Sequence, residues 1–193
     1  MLKYIVLLGA TVQSIGLFLY IRETIRGNSK PDRMTWLIWS IAPLIGTAAA
    51  FSDGVRWAVL PIFMAGFGPL LVFISSFFGS KGYWKLHAID YYCGASSLLA
   101  LVLWGITKEP YIAIIFAIIA DAIAAIPTVI KSWKYPETET MDPYVTGLFN
   151  ALTSFFAVQM WSFSEVAFPS YLVLLTSLII FSLYKGRIRK RNE

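Results

Sequence analysis

The residues of this chain best placed to do chemistry are polar side chains set inside long apolar runs. Asp121 sits in the run Ile118-Ile119-Ala120-Asp121-Ala122-Ile123, Gln13 is the amide of the first apolar run, and Asn150 follows Thr146 by one helical turn. A carboxylate deep in a bilayer costs about 2.5–3.5 kcal/mol on insertion scales, so it must face a wet cavity, a polar partner or a proton. Asp121 could therefore couple movement to protons, bind a cation or touch a substrate. The plainer alternative is a protonated acid hydrogen-bonded to a neighbouring helix. Helical spacing adds Ala117, Ala125 and Thr128 to its face, and such small residues admit a ligand or another helix.

Two stripes resemble each other. Trp36, Ser40, Pro43 and Thr47 recur at helical spacing, as do Thr146, Asn150, Thr153 and Ala157, and one offset superimposes the two sets. Both could line a shared central cavity. Asn150 offers donors and acceptors, and Trp36 and Trp39 could stack a planar or sugar-like ligand. Against this stand an interfacial tryptophan belt and ordinary interhelical hydrogen bonds, worth about 0.6 kcal/mol each. Gln13 shares a helical face with Gly9, Gly16 and Tyr20. Its amide is costly unless satisfied, while the glycines serve close packing. Gln13 and Asp121 are expected on opposite walls of one cavity. His87 and Asp90, one turn apart, read as a local ion pair rather than a proton relay. Gly66-Phe67-Gly68-Pro69 reads as a loosened, kinked stretch. Glu137, Glu139 and Asp142 read as solvated loop acids.

No arrangement supports an enzyme. There is no Ser/His/Asp set, the one histidine stands at a helix end, and the single cysteine, Cys93, can form no internal disulfide. Nothing points to a metal or another cofactor. A net charge of +5 resides in loops and at the C-terminus, which argues against nucleic acid as a partner.

The elements that must position these residues are membrane helices. Of 193 residues, 58% are hydrophobic and 14% charged, where a soluble domain carries roughly 25% charged. Hydropathy gives seven spans, at 2–21, 34–51, 57–78, 86–106, 111–130, 144–161 and 167–184. The first resembles a signal peptide but has no small-residue cleavage site, and reads as a retained helix. Lys and Arg collect in the loops after the first, third and fifth spans and in the last residues, which places the C-terminus in the cytoplasm and the N-terminus outside. The first span ends in Tyr20-Ile21-Arg22 and the fifth in Val129-Ile130-Lys131, each followed by a charged, proline-bearing loop. The layout is then an all-α membrane protein of two parallel three-helix repeats, 1–80 and 109–185. A linker helix at 81–108 joins them, and a basic tail at 186–193 ends the chain.

The segment Ile126-Pro127-Thr128-Val129-Ile130-Lys131, followed by Pro136, Pro143 and a helix ending in Trp161, resembles the SWEET and PQ-loop transporters. The resemblance implies two three-helix bundles with a substrate between them near mid-membrane, and prolines that act as hinges, for which Pro43 and Pro127 match. On this basis the expected function is a small-solute transporter or facilitator working by alternating access, with Asp121 binding substrate or carrying a proton. A vitamin-precursor transporter of the same helix arrangement belongs to this class. A ligand-binding or cargo receptor on the same scaffold is the alternative. The expected partners are a small-molecule substrate and the lipid bilayer, with a homo-oligomer also compatible.

Overall fold

The computed structural model describes residues 5–52, 59–79, 84–106, 110–158 and 161–192. Among them are seven α-helices and no strand: α1 (Ile5–Ile25), α2 (Arg33–Ser52), α3 (Val59–Ser75), α4 (Ala88–Ile106), α5 (Pro110–Lys134), α6 (Asp142–Ser154) and α7 (Phe163–Asn192). Three stretches, Ile5–Ile25, Ile114–Lys134 and Glu165–Asn192, are long and apolar enough to cross a membrane.

The helix ends follow local chemistry. Gly27 adopts φ 77° just past α1. Its N–H bonds to the Thr24 carbonyl at 2.9 Å while the Asn28 N–H reaches back to Glu23 at 2.9 Å, the bond pattern that a left-handed glycine allows at a helix C-terminus. The Asp32 carboxylate then caps α2 by accepting the Thr35 N–H at 3.0 Å. At the start of α4, Asp90 accepts the His87 N–H at 2.5 Å, half of a capping box. The His87 ring lies 3.8 Å from the same carboxylate and is mostly exposed. That pair is local, as its spacing indicates.

Each group of three helices packs in the same order: α3 lies between α1 and α2, and α7 lies between α5 and α6. Helix α1 packs along α6, α2 meets α5, and α4 lies against α5 and α2. The Gly66-Phe67-Gly68-Pro69 stretch explains the position of α3. A Cβ on Gly66 would stand 2.9 Å from the Ser40 carbonyl of α2, and one on Gly68 would stand 2.4 Å from Leu17 Cδ1 of α1. Close approach to both neighbours, rather than a break, is what the glycines provide, because the helix runs on through Pro69. Pro43, Pro127 and Pro169 likewise lie inside continuous helices.

Trp39 packs against three clusters of buried side chains: Ile38 with Ala120 and Ala124, Leu17 with Tyr20, Trp36 and Val72, and a third built on Ala125, Tyr144 and Ile179. It is therefore a common member of the packing on both sides of the α2–α5 contact.

Two elements differ from the sequence reading. Helix α6 ends at Ser154 and passes into a tight 3-10 turn at Phe155–Ala157, well short of Trp161. The Thr153 and Ser154 hydroxyls both bond back to the Asn150 carbonyl, at 2.8 and 3.0 Å, and compete there with the helical backbone pattern. The basic residues from 186 onward, read as a separate tail, continue α7 to Asn192. Cations at a helix C-terminus suit its dipole, and this last stretch is docked on the α5–α6 connection. Lys3, Arg56, Trp57, Lys81 and Lys108, and the side chains of Thr47 and Ala157, lie outside the described residues.

The α1–α6 contact is tightest at Gly16, where an added Cβ would stand 2.0 Å from Thr146 Oγ1 and 2.8 Å from Thr146 Cβ. Rotating the hydroxyl relieves only the first contact. Alanine is intrinsically favoured over glycine in a helix by about 1 kcal/mol, but overpacking costs about 1–3 kcal/mol. Gly16→Ala should therefore lower the thermal unfolding midpoint of the purified protein, and Thr146→Gly in the same chain should restore part of the loss. An unchanged midpoint in Gly16→Ala would show that the two helices are not packed in this register.

Candidate functional site

The end of the molecule that carries Lys30, Lys131 and the close of α7 holds a buried ionic centre. Lys131, in the last turn of α5, lies 2.5 Å from Glu139, and their side chains are 1% and 0% exposed. They meet because the chain turns back at once. The Tyr135 N–H bonds to the Lys131 carbonyl at 2.7 Å, a 3-10 turn follows at Pro136–Thr138, and the Thr138 N–H closes it on Tyr135 at 3.0 Å. Glu139 thus returns over the end of α5.

The pair is satisfied from every side. The Glu139 carboxylate accepts the Tyr20 hydroxyl of α1 at 2.7 Å and the Tyr144 hydroxyl of α6 at 3.3 Å. The Lys131 ammonium also donates to the Lys30 carbonyl and stands 5.0 Å from the Trp84 ring centroid. Arg187 of α7 donates to the Glu139 carbonyl at 2.9 Å, and the Lys30 N–H donates to the Thr138 carbonyl at 2.9 Å. Burying two ions costs several kcal/mol each, which only such complete pairing offsets. Tyr20 and Lys30 belong to the α1–α3 group, whereas Lys131, Glu139, Tyr144 and Arg187 belong to the α5–α7 group. The centre therefore ties the two groups together.

An aromatic path leads inward from it. The Tyr20 ring lies 5.1 Å from Trp36, which meets Trp39 edge-on at 5.3 Å. The Trp39 indole N–H points to the Asp121 carbonyl at 3.4 Å, and the Asp121 carboxylate accepts the Tyr171 hydroxyl at 2.6 Å. Beside this path the Thr35 hydroxyl donates to the Ala124 carbonyl at 2.7 Å and accepts from Thr128 at 3.1 Å, which fixes α2 on α5.

Of the residues singled out from sequence, Asp121, Trp39 and Trp36 thus fall on one connected path. Trp36 is 3% exposed, so it forms part of the interior rather than a surface belt. Asn150 donates to the Gln13 amide oxygen at 2.6 Å within the α1–α6 contact, so these two satisfy each other. Gln13 and Asp121 are held by different partners. Ser40 directs its hydroxyl to the Leu37 carbonyl and Thr146 to the Asp142 carbonyl, each at 2.7 Å within its own helix.

Glu139, read as a solvated loop acid, is buried. Lys131, counted only as a topology charge, is its partner. Glu137 remains exposed and pairs with Lys190 at 2.7 Å. Tyr144 and Tyr171 carried no signal beyond aromatic composition, while Tyr20 was legible only as a face-mate of Gln13.

Asp32 is a further buried acid at this end. One carboxylate oxygen caps Thr35, and the other is buried with no protein partner. Burial pushes the Asp32 carboxyl above the usual carboxylate range. The Thr35 N–H and the Lys131 charge oppose that shift, and Asp90 adds to it.

Comparison with protein-family models, with curated proteins and with solved structures returns no match.

Lys131→Met should cost about 3–5 kcal/mol of stability, because it leaves the Glu139 charge buried alone. Tyr20→Phe should cost about 1.5–3 kcal/mol, the range for a hydrogen bond to a charged group. Lys131→Met with Glu139→Gln should recover much of the loss. Denaturant titration of the parent, Lys131→Met, Glu139→Gln and the double variant measures the coupling, and additive losses in the double variant would contradict the pair.

Asp32→Asn keeps a capping oxygen and removes a charge that burial disfavours. A folded pKa raised above the unfolded value of about 3.9 makes the charged form cost stability only as pH rises past that value. The variant should therefore unfold at a higher temperature than the parent at neutral pH, and the gap should close on acidification. A gap of equal size at both ends of the range would mean the carboxyl is not the cause.

Proposed function

We propose that this protein is a small-solute membrane transporter working by alternating access between its α1–α3 and α5–α7 groups, with the basic end in the cytoplasm. On this reading all seven α-helices span the bilayer, α4 links two parallel repeats, and the arrangement is of the SWEET and PQ-loop kind. The shared packing order, third helix between first and second, supports the repeat.

The observation that carries the reading is the Lys131–Glu139 centre. Tyr20 and Lys30 reach it from one helix group, and the pair itself belongs to the other. A contact held by ions and hydroxyls can exchange its partners for water when the groups part, which an apolar seal of the same size cannot do. The proposed closed side is therefore the cytoplasmic one. A solute entering from the opposite side would meet Asp121, with Trp39 and Trp36 beneath it. A carboxyl on that path is suited to bind a cationic group or a proton. Pro43 and Pro127 lack the backbone N–H of an ordinary helical residue and are the proposed flex points.

The test is uptake into proteoliposomes across a panel of small solutes, with and without a pH gradient, comparing the parent with Asp121→Asn. Asparagine keeps an acceptor for Tyr171 but cannot carry the carboxyl proton. Solute accumulation by the parent that responds to the gradient, and loss of that response in Asp121→Asn, is the expected outcome. Saturable ligand binding without flux through correctly inserted parent protein would instead identify a receptor on the same scaffold.

A further inference from the structure

The last turns of α7 have two different sides. On one, Gly186 lies flush against the α5–α6 connection, where a Cβ would stand 2.8 Å from the Trp133 carbonyl and 2.9 Å from that of Ser132. Arg189 belongs to the same side, with its guanidinium 5.9 Å from the Trp133 ring centroid and an N–H directed to the Trp133 carbonyl at 3.4 Å. Arg187, Lys190 and Arg191 instead line a cavity of about 500 Å³ that is open to solvent and bordered by Asn28 of the α1–α2 connection and by Thr140. That volume falls within the usual range for a small-molecule site, about 300–1,000 Å³.

The charges within this cavity do not cancel. Glu137 lines it but is paired with Lys190. Glu139 turns its carboxylate inward to Lys131 and offers the cavity side only its carbonyl, which takes one N–H of Arg187. A guanidinium has five N–H donors in a planar fork. Arg187 therefore keeps further donors, and Arg191 stands four residues on, along the same helical face. Two forked cations therefore border one space.

We infer that this cavity binds a phosphate-bearing anion, clasped by Arg187 and Arg191. Paired guanidinium donors match phosphate oxygens in geometry and charge. The phosphate can come from the headgroup of an anionic phospholipid or from a soluble phosphorylated compound. Because Arg187 also holds the Glu139 carbonyl, the anion braces the segment that carries the Glu139 carboxylate. This consequence rests on the transport reading, whereas the binding does not.

The experiment uses the full-length purified protein in neutral detergent. Native mass spectrometry measures retention of phosphatidylglycerol against phosphatidylcholine, and thermal unfolding measures stabilisation by glycerol phosphate. The parent should retain the anionic lipid, and Arg187→Ala with Arg191→Ala should bind roughly tenfold more weakly, as expected when two charge-assisted contacts are lost. Lys134→Ala with Lys185→Ala removes the same charge from the same end outside the cavity and should leave binding unchanged. Arg191→Ala alone leaves the Arg187 bond to Glu139 in place and should weaken binding by a smaller factor than the double variant. Lipid retention alone identifies a headgroup site, and matching stabilisation by glycerol phosphate identifies a soluble ligand. Equal loss in the cavity and control pairs, or no preference for phosphatidylglycerol and no effect of glycerol phosphate, would overturn the assignment. Binding that persists in a protein without transport activity would count against the transport reading alone.

Discussion

Two charges taken out of water govern this structure. Lys131 and Glu139 are both almost wholly buried, and an ion left unpaired at such a site costs several kcal/mol. The surrounding elements are therefore constrained to bring donors and acceptors to one point. Tyr20 must arrive at the end of α1, Tyr144 in the first turn of α6 and the Lys30 carbonyl from the α1–α2 connection. The left-handed Gly27 and the Asp32 cap serve this arrangement, because they turn the chain so that Lys30 lies against Thr138. The long α7 fits the same account, since its last turns hold the Glu139 carbonyl from outside.

The two contacts between the helix groups are unlike in kind. Along α1 and α6 the backbones are close at Gly9 and Gly16, where added Cβ atoms would stand 2.0 Å from Thr153 Oγ1 and Thr146 Oγ1, and Asn150 and Gln13 bond across them. Small residues with a bonded amide pair make a seam that resists sliding. Between α2 and α5 the described contacts are Thr35 on Ala124 and Thr128, Ile38 on Ala120 and Ala124, and Trp39 on Asp121. That contact relies on large side chains and single hydroxyls. On the proposed reading the α1–α6 seam is the axis and the α2–α5 contact is the one that parts.

Much of this fold was legible in the chain, because apolar runs of membrane length dictate helices whatever their partners. Asp121 was legible too, since a lone acid among isoleucines and alanines needs an explanation. What could not be read was pairing across distance. Glu139 stands among Glu137, Thr138 and Thr140, a composition that elsewhere is simply solvated, and Lys131 looks like any basic residue that ends a helix. Only the 3-10 turn between them, set by Pro136, brings them together. The length of α6 was misjudged because hydropathy runs on past Ser154, whereas the backbone passes there into the 3-10 turn at Phe155–Ala157. Ser40 and Thr146 matched a stripe by spacing, yet spacing carries no information on whether a hydroxyl bonds back to its own helix.

The order of the layers along α5 bears on how a passage could open. Asp121 and Lys131 are ten residues apart on that helix, about 15 Å along its axis. Trp39, Trp36 and Tyr20 span the interval. Turning one tryptophan would leave the ionic layer shut, and breaking the ion pair alone would leave the aromatic layer filled. Trp36, Trp39 and Tyr20 belong to the first helix group, and Lys131, Glu139 and Asp121 to the second. On the proposed reading, a movement of one group against the other draws Trp39 from Asp121 and draws Tyr20 and Lys30 from the Lys131–Glu139 pair in a single step. On the proposed reading, the distribution of these residues between the groups, more than any one of them, favours rigid-body rocking over local side-chain gating.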